Sequence, residues 1–117
     1  MKLPHSDRAV VDIRKLSDYC LNPDSPKGHN KARVFASALG LTRRDADFLR
    51  RALLAAARDQ VAIPGEADDY GQRYTVDFPL ETATGRRQVR SGWMVRHGEE
   101  FPRLTTCYVI TAKARRK

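Results

Sequence analysis

The strongest constraint on this chain is a change of hydrophobic period partway along it. Up to about residue 59 the apolar residues recur at helical spacing. From Gln72 onward Tyr74, Val76, Phe78 and Leu80 alternate with Arg73, Thr75, Asp77 and Pro79, a period of two. The stretch VAIPGEADDYG separates the two regimes. A chain that reads helices first and hairpin-connected strands last is expected to fold as α+β, with two to three N-terminal helices packed on a C-terminal antiparallel meander of three to four strands.

Within the helical half, AVVDI at 9–13 is β-branched and reads as a short strand. RKLSDYCLN at 14–22 carries Leu16, Tyr19 and Cys20 at helical spacing, and Pro23 stops it. The next helix runs from about His29 to Leu39 and ends at Gly40, where a left-handed cap is wanted. Thr42 followed by Asp45 predicts a capping box. The third helix, about 43 to 59, turns Ala46, Leu49, Leu53 and Ala56 inward and Arg43, Arg44, Arg50, Arg51 and Arg58 outward. In the strand half, ETATG turns the chain at 81–85. A strand at about 87–96 sets Val89, Ser91, Trp93 and Val95 against Arg90, Gly92 and Met94. A last strand at 103–111 sets Leu104, Thr106, Tyr108 and Ile110 against Arg103, Thr105, Cys107 and Val109. With no repeats and no linker, residues 1–117 read as one domain, in which KARRK at 113–117 is a basic tail without fixed structure.

Charge narrows the partners. Lys and Arg number 22 against 14 Asp and Glu, a net charge of +8 with a pI near 10.0. Such an excess on a small domain favours polyanions, either nucleic acid or an acidic protein. No apolar run approaches the roughly 18 residues of a membrane span. Cys20 and Cys107 match no metal or redox spacing and read as reduced apolar residues of a cytoplasmic protein. No metal and no cofactor are expected.

Lys31 is the residue whose position asks for a reason. It heads the apolar stripe Val34, Phe35 and Ala38, and it lies in a first helical turn, where the dipole disfavours a cation by about 0.3–1 kcal/mol. It is either a rim lysine laying its stem on Phe35 or a cation waiting for an anion. On the strands, Arg73, Arg90 and Arg103 share the face opposite the apolar one, a guanidinium row suited to phosphate. An ordinary solvated sheet face with Asp77 pairing a neighbour is the plain alternative. Tyr108 falls by alternation on the Leu104/Ile110 face, so it reaches the arginine face only if a bulge near Thr105–Thr106 re-aims it or if both faces are partly covered. Alternation leaves open which of the two threonines faces a ligand.

The blocks LSDYCLNPDSPKGHNKARVFASALG, DDYGQRYTVDF, VRSGWMV and PRLTTCYV, spanning about Val10 to Val109, resemble a bacterial domain at the C-terminal tips of contact-dependent, filamentous-haemagglutinin-like toxins that also occurs free-standing. The helix-then-meander order with a Thr/Tyr-bearing last strand is similar to the barnase–EndoU–colicin–RelE group of metal-independent ribonucleases, a likeness of fold level. This resemblance implies an RNA-cleaving toxin, acting on tRNA or other cellular RNA in the cytoplasm of the producing or a target cell and neutralised by an acidic immunity or antitoxin protein. Lys31 lies in the K-A-x-x-F segment, Arg103, Thr106 and Tyr108 in the P-R-L-x-T-x-Y segment, and Gly71, Arg73 and Tyr74 in the Y-G-x-R-Y segment.

Lys31 and Arg103 are then expected on the phosphate, Thr106 and Tyr108 as hydroxyl donors, and His29 as an acid or base, although it stands where a small residue is expected. Arg73, Arg90, Thr105 and Arg33 are the expected substrate contacts. The competing expectations are a non-catalytic basic module binding nucleic acid or a protein, and a toxin of other chemistry such as a deoxyribonuclease, for which the sequence offers no acidic metal-ligand cluster.

Overall fold

The computed structural model describes residues 1–111, so the basic run at 113–117 lies outside the described residues. The helical half begins with a 3₁₀ turn at Ser6–Arg8. Helix α1, Ile13–Lys15, is capped by the Asp12 side chain and runs on into a π-helical turn at Leu16–Cys20. The segment read as a strand at 9–13 makes only one bridge, Val10 beside Arg103. Its backbone bonds to Pro102 and Leu104 occupy the free edge of the last strand, and Asp12 then starts the helix.

Helix α2, His29–Leu39, ends as the sequence predicts: Gly40 adopts φ 69°, and the N–H groups of Gly40 and Leu41 return to Ala36 and Phe35. The capping box is also present, with Thr42 N–H 2.8 Å from an Asp45 carboxylate oxygen. It opens a 3₁₀ turn at Arg43–Asp45 that leads into α3, Ala46–Asp59.

Four strands follow as a meander in the order β1-β2-β3-β4, all antiparallel: β1 Ala62–Ala67, β2 Gly71–Glu81, β3 Arg86–Arg96 and β4 Pro102–Val109. β1 is not recognisable by alternation, because AIPGEA is interrupted by Pro64 and Gly65 and is exposed along most of its length. It is an edge strand with an irregularity between Pro64 and Ala67.

The core lies between one sheet face and helices α2 and α3. Phe35 and Leu39 from α2, Leu49 and Leu53 from α3, and Val76, Val89 and Trp93 from the sheet are almost wholly buried there. Each such side chain contributes about 1.5–3 kcal/mol on leaving water. The polar groups of Trp93 and Ser91 on the sheet's inner face are satisfied: Trp93 Nε1 donates to Ser91 Oγ at 2.8 Å, and Ser91 donates to the Val76 carbonyl at 2.7 Å.

The register of β4 settles which face carries Tyr108. Gly92 pairs with Thr106 and Trp93 with Leu104, so Thr105 is an extra residue and forms a bulge. Leu104 stays in the core. Beyond the bulge it is Cys107 and Val109 that are buried, while Tyr108 pairs with Arg90 on the outer face. Both threonines crowd the same spot: a Cβ on Gly92 would lie 3.0 Å from Thr105 Oγ1 and 3.4 Å from Thr106 Cγ2. The glycine leaves the room that the bulge needs.

Candidate functional site

The outer face of the sheet carries three rows across its strands: Arg73–Met94–Arg103, Thr75–Gly92–Thr106 and Asp77–Arg90–Tyr108. Arg90 and Met94 stand four residues apart on β3, so the first and last rows are about 13 Å apart along the strands. The predicted residues are thus distributed over two ends of one face, and the two ends differ in character.

At the Tyr108 end, helix α2 and the π turn pass over the β4 edge. Lys31 extends from α2 and places its ammonium 5.3 Å from the Tyr19 ring centre and 5.9 Å from that of Tyr108. Such contacts hold a cation with about 0.5–1 kcal/mol each without neutralising it. No carboxylate pairs with Lys31 among the described residues. Thr106 Oγ1, on the same strand, is fully enclosed and meets no partner in good hydrogen-bonding geometry among the described residues. Its pull on the neighbouring Cys20 thiol is the weakest of the influences there. Cys20 and Cys107, 87 positions apart in the chain, meet at this edge as buried free thiols. The hydrogen bond with Cys107, helped by the Lys31 charge, draws the Cys20 thiol down, whereas the same bond and burial push the Cys107 thiol up. Arg90 closes this end, held by a bidentate pair with Asp77 at 2.9 Å through both nitrogens. Asp77 first, and Tyr108 further down, raise its pKa. Asp77 therefore takes the neighbour-pairing role that the plain reading gave it.

At the other end Arg103 is gripped by Glu99, with Nε and Nη2 each 2.9 Å from a carboxylate oxygen, and lies 5.0 Å over the Phe101 ring. The Arg103 guanidinium keeps the Glu99 carboxyl below the usual carboxylate range. A cavity of about 410 Å³ opens here, lined among others by Lys15, Tyr70, Arg73, Arg96, Arg103 and Thr105. A second, of about 550 Å³, shares Asp12, Lys15 and Thr105 with it and adds Tyr19 and Lys27. The shared residues join the two into one groove running from Arg103 toward the α2 edge.

The remaining predicted residues are elsewhere. His29 and Arg33 lie two positions on either side of Lys31, about 200° around the helix from it. The His29 Nδ1 sits 3.0 Å and 3.1 Å from the carbonyls of Ser25 and Pro26, tying the ring to the preceding turn. Arg33 lines a different, largely apolar cavity with Leu21, Leu41 and Arg44. His97 Nε2 is bound to the Asp68 carbonyl at 2.8 Å.

Lys15, Arg96 and Tyr70 join the site without having been singled out in the sequence. Arg96 was legible, since it continues the even-numbered face of β3 past Arg90 and Met94. Lys15 and Tyr70 reach the groove from an irregular helix and a turn, which no periodicity describes. Among the described residues, no three His, Cys, Asp or Glu side chains gather where they could hold one metal ion. No helix among them is long and apolar enough to cross a membrane.

A helix layer on one face of a four-stranded meander, with a basic groove along the other, defines a small α+β domain. The chain belongs to the family described as a domain of unknown function, DUF6883, which matches residues 2–111. No curated protein matches it.

Proposed function

We propose that this domain is a metal-independent ribonuclease of toxin type, cleaving RNA at the Lys31–Tyr108 edge and holding it along the groove toward Arg103. The observation that carries the reading is Lys31: an ammonium with no carboxylate partner among the described residues, steadied by two aromatic rings. A cation so placed stabilises the charge that develops on a phosphorane, an effect worth about 10²- to 10³-fold in rate for a single fixed donor. The bulge turns Tyr108 to the outer face, where its ring lies against Lys31, and in this reading its hydroxyl meets the RNA; the Thr106 hydroxyl is enclosed and is not offered to the strand.

Arg103 and Arg90, each tied to its own carboxylate, act as positioning groups for phosphates of the strand rather than as partners of Lys31 on one phosphate. The excess of positive charge would draw both the RNA and an acidic protein that shields it.

The test is incubation of the purified chain with total cellular RNA in EDTA. Cleavage that disappears in Lys31→Ala, with circular dichroism unchanged, is the expected result. No cleavage of any RNA class overturns the reading. A second reading, RNA binding without cleavage, is favoured by one observation: His29 and His97 both have a ring nitrogen tied to backbone carbonyls away from Lys31. It predicts affinity that falls with salt and no products.

A further inference from the structure

We infer that the groove takes single-stranded RNA, with one unpaired base stacked on Tyr70 while the adjoining phosphates lie against the arginines beside it. This inference rests on the RNA reading of the same face. Tyr70 is 71% exposed, a large aromatic surface left in water at the lip of the Arg103 cavity. Such a ring has a use when a flat partner covers it, and every base has a π face.

The turn that carries it is clamped on all sides. Tyr70 N–H donates to Asp68 Oδ1 at 2.9 Å, and its carbonyl accepts from His97 N–H at 3.1 Å. Asp68 and Gly71 exchange two backbone bonds. Gly71 follows at φ 150°, with the position of a Cβ only 2.1 Å from the Val95 carbonyl oxygen, so the chain there admits no side chain. The ring is therefore presented by a fixed backbone, and little ordering is required on binding.

The cations around it keep free donors. Asp68 takes only Arg73 Nε, at 3.3 Å, and leaves both of its terminal nitrogens. Glu99 takes Nε and Nη2 of Arg103 and leaves Nη1. Arg96 makes no salt bridge among the described residues. Each carboxylate thus orients a guanidinium and leaves it able to meet a phosphate.

An aromatic platform beside phosphate donors fits a strand whose bases are unstacked. Within a duplex the base faces are covered by their neighbours and cannot reach Tyr70. From this end the shared residues Lys15 and Thr105 lead on toward Tyr19 and the Lys31 edge, a path for several nucleotides.

The experiment is fluorescence anisotropy with a labelled 2′-O-methyl RNA of about nine nucleotides, within the usual site size for single strands. It lacks the 2′-hydroxyl needed for cleavage, so binding is read alone. The single strand is expected to bind more tightly than the same sequence in a duplex. Tyr70→Ala should weaken single-strand binding by about 5- to 150-fold, the range of base–aromatic stacking. Tyr70→Phe should restore it, since the ring and not the hydroxyl carries the contact. Equal affinity for both forms, or a single-strand affinity unmoved by Tyr70→Ala, overturns this inference and leaves the RNA reading standing. Failure of both forms to bind at low salt overturns both readings.

Discussion

The two ends of the outer sheet face show two ways of keeping a cation. Lys31 is held by aromatic rings and has no carboxylate partner among the described residues. Arg103 is held by a carboxylate at two points, and its neighbour Arg73 by another. Rings leave a charge available to an incoming anion at full strength, while carboxylates orient a guanidinium and spend part of its field. On the function proposed above, the two ends would do different work, chemistry at Lys31 and grip at Arg103.

The comparison is broken most heavily at the base of the Lys31 end. A Cβ on Gly28 would lie 2.0 Å from the Tyr19 carbonyl oxygen and 2.9 Å from Tyr19 Cδ1. Gly28→Ala must therefore push the π turn away from α2, at a cost of about 1–3 kcal/mol or more. Thermal unfolding should fall by several degrees, and an unchanged midpoint would mean that the packing of Tyr19 against α2 is looser than described.

Thr106→Val moves stability in the opposite direction. Replacing an enclosed, unpartnered hydroxyl by a methyl group of the same shape should raise stability by about 1–2 kcal/mol in urea denaturation. A loss of stability would show that the hydroxyl has a partner after all.

At the opposite end Arg103→Ala should weaken RNA binding and reduce the salt slope by about 0.7, one phosphate contact on a single strand. An unchanged slope would remove Arg103 from the interface.

The smallest effect is that of acid. Glu99 and Asp68 both have depressed carboxyl pKa values in the folded chain, Glu99 chiefly through Arg103 and Asp68 chiefly through the Tyr70 N–H. Their stabilisation is present above the unfolded values of about 4 and is lost as pH falls through the lower folded ones. Carboxyl titration by NMR should give midpoints below those values for both residues. An ordinary midpoint for Glu99 would mean that it does not hold Arg103, and one for Asp68 that its bond to the Tyr70 N–H is absent.

Much of this architecture was legible, and the exceptions have definite causes. Gly40, the Thr42–Asp45 box and the alternation of β2 each rest on local chemistry that a sequence displays directly, and all three are present. β1 escaped because Pro64 and Gly65 erase its pattern. The β-branched residues of the 9–13 segment favour a strand, but Asp12 caps a helix there and ends the strand after one bridge. The side on which Tyr108 lies depended on one extra residue at Thr105, which inverts the alternation beyond it. Alternation could only name that bulge as one of two routes. For the site, the arginine row was readable as a period of two. The meeting of Lys31 with Tyr19, and of Cys20 with Cys107, is tertiary and leaves no trace in spacing. His29 and Arg33 stand two positions from Lys31 in α2, and two steps along a helix turn a side chain to its far side.

The division of labour is tested most directly by single-turnover cleavage at saturating RNA in EDTA, with Lys31→Ala and Arg103→Ala compared side by side. The account predicts that Lys31→Ala loses about 10²- to 10³-fold in rate while binding nearly as before, and that Arg103→Ala recovers most of its rate once the RNA concentration is raised. Lys31→Ala cleaving as fast as the unaltered chain would contradict it.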